Sequence, residues 1–160
     1  MTRVEKPDLT VALLHWGSEF NDTISKSQEK IKKLLEDGGV NAIIGTHSHY
    51  VQKMELSENG QFIAYSLGDF LGDANRSGSE YSVVLNLSVE KNNKTGVTKI
   101  TGFDYTPTFI VNLEDQPIKV LRLQEAISAY EAGQLGRVDE ETYNAMKYAL
   151  TRVEARVNGK

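Results

Sequence analysis

Two apolar runs, separated by one amphipathic helix and each closed by histidine, constrain this chain more than any other feature. Leu9 to Leu14 is rich in Val and Leu and leads into His15-Trp16-Gly17-Ser18-Glu19. Val40 to Ile44 is similar, broken only by Asn41, and leads into Gly45-Thr46-His47-Ser48-His49. Such runs fit strands buried on both faces of a parallel sheet. Between them, Ile24 to Glu36 places Ile31, Leu34 and Leu35 at helical spacing. Ser25 with Gln28 three residues on is a capping-box pattern, and Gly38-Gly39 supplies a C-terminal stop. The unit reads strand, helix, strand. A crossover of this kind is right-handed in nearly all cases. Both histidine patches then emerge on one edge of the sheet, the edge where open α/β sheets bind ligands.

The chain has 3 histidines, and all of them lie in these two patches. In extended backbone, residues i and i+2 point the same way, so His47 and His49 are expected to aim two imidazoles at one point. Neutral imidazole suits Zn, Fe and related ions. With His15 from the neighbouring strand, three nitrogens are expected to converge on a present or ancestral metal site.

Composition narrows the class. A length of 160 residues suffices for one domain with a real core. The net charge of −4, with no basic stripe, argues against nucleic acid as the main partner. Lys26, Lys30, Lys32 and Lys33 fall together on the predicted helix and read as a solvated face. Without cysteine there is neither disulfide nor thiolate chemistry. No apolar stretch reaches the length of a membrane span, and Met1 to Asp8 does not read as a signal peptide. It reads as the lead-in to an internal strand, as in the later part of something longer.

After His49 the pattern turns to hairpins. Val51 to Leu56 and Phe62 to Ser66 flank Glu58-Asn59-Gly60, with Asn-Gly as the turn. The following loop carries Asp69 and Asp73. Asp69 reads first as a cap for the next turn, with approach to the histidine edge as the alternative if the hairpin runs back. Tyr81 to Glu90 alternates as a half-buried antiparallel strand. Val97 to Asp104 returns, Thr106 to Asn112 continues after a break near Pro107, and Gln116 to Arg122 is a last extended piece. These strands read as a layer covering the parallel unit. Leu123 to Ala132, stopped by Gly133, and a second helix begun by Asp139 with Thr142 form the tail. The expected organisation is residues 1–122 as the body and residues 123–160 as a helical extension packed on it.

Three motifs carry a resemblance. Leu14-His15-Trp16-Gly17-Ser18-Glu19-Phe20, Gly45-Thr46-His47-Ser48-His49-Tyr50-Val51-Gln52 and Tyr65-Ser66-Leu67-Gly68-Asp69-Phe70 stand in an order and spacing that resemble the CapA family. These are bacterial capsule or poly-γ-glutamate synthesis proteins that look like calcineurin-type metallophosphatases. The resemblance covers about residues 8 to 72. Ser48 and Tyr50 stand where the family usually has Pro and Val, and Asp69 where it usually has Asn.

The resemblance implies an α/β (α+β) fold that is part of a four-layer αββα sandwich. It implies that His15, His47 and His49 are catalytic metal ligands for divalent ions (Mn, Fe or Zn), which activate water against a phosphoester. Glu19 and Asp69 are accessory candidates. The superfamily's earlier motifs supply an Asp, a second Asp, an Asn and a further His, and would precede the first strand here. The chain is therefore expected to match the C-terminal portion of such a protein, with a partial ligand set and little activity alone.

Expected partners are an anionic polymer or phosphoester substrate, and the N-terminal half or a second copy of the chain. Membrane contact is expected only through the parent protein, at an extracellular or membrane-associated location. The alternative is a non-catalytic scaffold or binding module of a cell-surface polymer machinery. A nucleotide-binding α/β domain is disfavoured, because no Gly-rich phosphate loop follows a strand.

Overall fold

A computed structural model describes residues 7–72, 76–113 and 115–160. The lead-in at residues 1–6 and the carboxylate of Asp73 lie outside the described residues. The fold is α+β, with two sheets and three helices among the described residues.

Strand β1 (Val11–His15) pairs in parallel with β2 (Ala42–Thr46), in a register running from Val11 opposite Ala42 to His15 opposite Thr46. Helix α1 (Lys26–Asp37) crosses between them. Its start is the expected capping box: the Ser25 hydroxyl accepts from the Gln28 amide, and the Gln28 side chain accepts from the Ser25 amide at 2.9 Å. At its end Gly39 takes φ of +84°, a conformation that favours glycine.

Strands β3 (Met54–Leu56) and β4 (Phe62–Ala64) form the expected antiparallel hairpin. The hairpin also joins the first sheet: β4 lies parallel to β2, giving the order β1-β2-β4-β3. This was not legible in the sequence, because three-residue strands carry too little periodicity to choose a neighbour.

The second sheet is antiparallel, in the order β5 (Tyr81–Lys91), β6 (Thr98–Val111), β7 (Lys119–Arg122). The expected break near Pro107 is absent; β6 runs through it as one 14-residue strand. Proline lacks an N–H, so it must sit where the ladder asks for none. Pro107 is opposite Val83, whose own N–H turns away to the Leu67 carbonyl at 3.1 Å. That makes the pair a non-hydrogen-bonded one. On the other side, pairing with β7 begins only at Thr108. The irregularity falls instead between Ser88 and Val89.

Helices α2 (Leu123–Glu131) and α3 (Glu140–Val157) close the chain. The Asp139 side chain caps α3 by accepting from the Thr142 amide at 2.8 Å, which holds its carboxyl below the usual range. The cap is therefore in place above the ordinary carboxylate range and is lost as pH falls through the lowered value.

Successive residues of a strand point to opposite faces, and the core divides accordingly. Ile43, Ile63, Tyr65 and Trp16 meet Ile24 and Leu35 on the α1 side. Ala42, Met54, Phe62 and Ala64 meet Tyr81, Val83 and Phe109 of the second sheet, with Leu123, Met146 and Val153 of the terminal helices in the same cluster.

Strand β1 departs from expectation. It is an edge strand and not buried on both faces: Val11 is 46% and Leu13 78% exposed. Their register partners Ala42 and Ile44 lie on the face that carries the second sheet. That cover does not extend over β1, so an apolar composition suited to burial faces solvent.

Gly45 is the tightest point of the first sheet. A Cβ there would lie 2.0 Å from the Tyr65 carbonyl oxygen and 2.3 Å from the Trp16 indole nitrogen. Gly45→Ala is expected to destabilise the chain by about 3 kcal/mol, the upper end for overpacking a filled site. A urea midpoint unchanged from the parent chain would refute this account of the packing.

Candidate functional site

The histidine patches meet at the carboxyl edge of β1 and β2, as the parallel register requires. His15 ends β1 beside Thr46, whose hydroxyl lies 3.4 Å from His15 Nδ1. His47 follows one residue beyond β2, and its ring centroid is 4.3 Å from that of His15, tilted by 49°. His15 is exposed, while His47 and His49 are half-buried. They open on a cleft of about 880 Å³ between the two sheets, with Ile44, Leu67, Val83 and Leu85 on its apolar wall.

The i, i+2 expectation fails here for a backbone reason. Strand β2 stops at Thr46, and the segment that follows is bent, with φ of +95° at His47 and +61° at His49. The two side chains are not aimed alike as extended backbone would aim them. His47 turns to His15. His49 turns to Asp69, with Nδ1 2.7 Å from the Asp69 carboxylate. Because a carboxylate only accepts, this bond places the ring hydrogen on Nδ1 and leaves Nε2, 3.8 Å from Glu19, facing out. Asp69 thus stands at the histidine edge, the alternative weighed for it. Among the described residues, no group of three or more His, Asp or Glu side chains converges on one point.

The donor chemistry nonetheless suits a divalent ion. Imidazole suits Zn and Fe, and carboxylates such as Glu19 and Asp69 suit Mn. A ligating histidine usually has its other ring nitrogen held by a carboxylate or carbonyl, as Asp69 holds His49. In number the set is incomplete.

Several supporting contacts had no counterpart in the sequence reading. The Phe20 ring stacks on His49 at 4.6 Å and 9°, with the Arg76 guanidinium on Phe20 at 4.3 Å. Phe20 itself takes φ of +52°, and its amide donates to the Ser48 carbonyl at 2.8 Å. The Trp16 indole N–H donates to the Tyr65 carbonyl at 2.8 Å. Tyr65 donates its hydroxyl to Glu29 at 2.8 Å, and burial first, then this bond, raises its pKa well above the ordinary value.

Beneath the loop runs a buried amide chain. Gln28 donates to Gln52 at 3.0 Å, and Gln52 donates to the Asn21 carbonyl at 3.0 Å. It ties the cap of α1 to the loop that carries Glu19 and Phe20. The available signal was Gln52 itself, an amide inside a histidine motif, though its partner lies 24 residues earlier. Gln52→Leu is expected to lose about 1–3 kcal/mol, because it orphans the buried Gln28 amide. The double variant Gln28→Leu, Gln52→Leu should lose less than the two single losses added. Strict additivity in urea unfolding would show that the two amides do not act together.

The comparisons with known proteins match the segment that builds this edge. The model of the family described as "Bacterial capsule synthesis protein PGA_cap" matches residues 1–74. These residues include β1 to β4, all three histidines and Asp69. The chain is similar to the "PGA biosynthesis protein CapA" of Bacillus subtilis (strain 168), 30% identical over 113 residues, which is 70% of this chain and 28% of that protein. It is also similar to the "Capsule biosynthesis protein CapA" of Bacillus anthracis, 39% identical over 66 residues, 41% of this chain and 16% of that protein. The matched lengths are thus under a third of either relative. Motif order and these matches agree, and the chain belongs to the CapA family of bacterial capsule synthesis proteins.

Proposed function

We propose that this chain is the histidine-bearing part of a capsule or poly-γ-glutamate biosynthesis protein. In this reading, His15, His47 and His49 hold divalent metal (Mn, Fe or Zn) in a metallophosphatase-like site. The observation that carries it is the meeting of His15 and His47 across a parallel register, with a carboxylate-held His49 beside them. Bound divalent ions supply Lewis-acid stabilisation of charge developing on a phosphoester. Asp69 fixes the tautomer of His49, Glu19 faces its Nε2, and the cleft between the sheets receives the anionic substrate. Phosphoester hydrolysis requires further ligands, which this reading assigns to the rest of the protein.

The same reading accounts for the exposed side of β1. Its edge, unpaired among the described residues, and exposed Val11 and Leu13 suit further strands from the remainder of the domain, or from a second copy, completing a four-layer αββα arrangement. An open apolar edge otherwise invites pairing with other chains. The site of action in this reading is the cell surface. Among the described residues no helix is long and apolar enough to cross a membrane.

Metal content by plasma mass spectrometry, after purification with Mn, Fe and Zn, tests the metal reading. It is run on the chain alone and on the chain joined to the preceding half of a CapA protein. Bound metal is expected to fall away in His15→Ala and His47→Ala, and Asp69→Ala should lower affinity about 10–100-fold as a lost orienting partner. Metal absent from both proteins would overturn the site and leave a scaffold role. For the edge, Leu13→Asp should change the chain's own stability by no more than about 0.5 kcal/mol, as a surface change. It should abolish association with the preceding half in light scattering. Association unaffected by Leu13→Asp would remove β1 from the interface.

A further inference from the structure

A second pocket, of about 390 Å³, shares no lining residue with the histidine cleft. Arg152 and Arg156 of α3, Lys53, Lys160 and Asp22 line it, with the Lys53 ammonium paired to Glu55. Arg156 is only 8% exposed. Its guanidinium lies over the Tyr50 ring at 4.6 Å and the Tyr81 ring at 5.2 Å. Its Nε and Nη2 both reach the same oxygen, Asp22 Oδ2, at 3.2 Å. Arg152 Nη2 stands 3.5 Å from that oxygen too. The remaining nitrogen, Arg156 Nη1, is buried without a hydrogen-bond partner among the described residues.

One carboxylate oxygen therefore serves two guanidinium groups, and a buried charged donor is left over. Proteins rarely leave such a group unsatisfied, since a buried donor without an acceptor carries its full desolvation penalty. Arg156 cannot relieve this by losing its charge. Nor can it swing out easily, with aromatic rings against it. Both arginines draw on Asp22 Oδ2 alone, and the pocket that they line has room for further acceptor oxygens.

We propose that this pocket binds an oxyanion, a carboxylate or phosphate group of a ligand, gripped by Arg152 and Arg156, with Lys160 as a further cation in its lining. A guanidinium presents a planar fork that matches two oxygens at once. Held between aromatic rings and Asp22, that of Arg156 is already ordered before the ligand arrives, so little freedom is lost on binding. The pocket also borders the segment that supports the histidine edge. Asp22 lies two residues after Phe20, which stacks on His49, and Gln52 donates to the carbonyls on both sides of Asp22, at Asn21 and Thr23. The inference stands on these contacts and does not depend on metal at the histidines.

Calorimetric titration of the full chain with citrate and with pyrophosphate, at matched ionic strength against chloride, tests it. Saturable binding of either is expected, weakened about tenfold or more in Arg152→Gln, as for loss of a charge-assisted bond. Arg156→Lys should weaken it similarly, because it keeps the charge and removes the fork. Lys33→Gln, at an exposed residue of α1 that pairs with Asp37 and does not line this pocket, should leave binding unchanged. Tighter citrate assigns a carboxylate ligand, tighter pyrophosphate a phosphate. Binding of neither, or equal weakening by Lys33→Gln, would overturn the site. Amide shifts on titration should centre on Asp22, Lys53 and Arg156, and shifts centred on the histidines would overturn it too.

Discussion

The closeness of β2 to the chain segment at Tyr65 is the constraint on which the rest of this edge depends. Gly45 has no side chain, so the Tyr65 carbonyl and the Trp16 indole come within a distance that a Cβ would occupy. In that space the indole N–H finds the Tyr65 carbonyl, and the Leu67 amide finds the Gly45 carbonyl at 3.2 Å. Leu67 in turn accepts from Val83. Leu67 thus bridges the two sheets through its backbone, beside the side-chain core that they share. The direction of the segment leading to Asp69, and hence its arrival at His49, follows from that junction.

Three residues at the site hold left-handed backbone without being glycine: Phe20, His47 and His49. Such conformations are unfavourable for side-chain-bearing residues and persist where the surroundings impose them. Here the surroundings are identifiable. The Phe20 amide is bonded to Ser48, Phe20 and His49 are stacked, and buried Ser48 donates to the Tyr50 carbonyl at 2.8 Å. The histidines are thus placed by a loop under constraint, on top of a regular parallel pair. Regular structure sets the edge, and the constrained loop sets where each ring turns.

Local signals in the sequence carried far where the chemistry was local. The capping box at Ser25 and Gln28, the Asn59-Gly60 turn, the Asp139 cap and the alternation of β5 all involve residues within a few positions of each other; the first three are found as expected, and the alternation holds from Val83 to Ser88 but not at buried Ser82 or exposed Val89. They were less informative where a neighbour in space decides. Pro107 looks like a break until its partner Val83 is seen to need no N–H from it. Val11 and Leu13 look like a buried strand until the cover over β1 is seen to end. The pairing of β4 with β2 has no local signature at all.

By itself, the sequence determined that two parallel strands would carry all of the histidines to one edge. Hydrophobic run, helix period and crossover handedness leave little else for such a unit to do. It also determined family membership, because the histidine motifs and the Tyr-Ser-Leu-Gly segment are short, ordered and specific. Only the tertiary structure decided how the rings are disposed. Side-chain direction after a strand end depends on backbone dihedrals set by contacts from elsewhere, here Phe20, Asp69 and the Gln28–Gln52 pair. The same holds for Arg156. Its burial under Tyr50 and Tyr81 and its crowding onto Asp22 join residues up to 134 positions apart, a distance over which no pattern in the chain foretells which charges will meet.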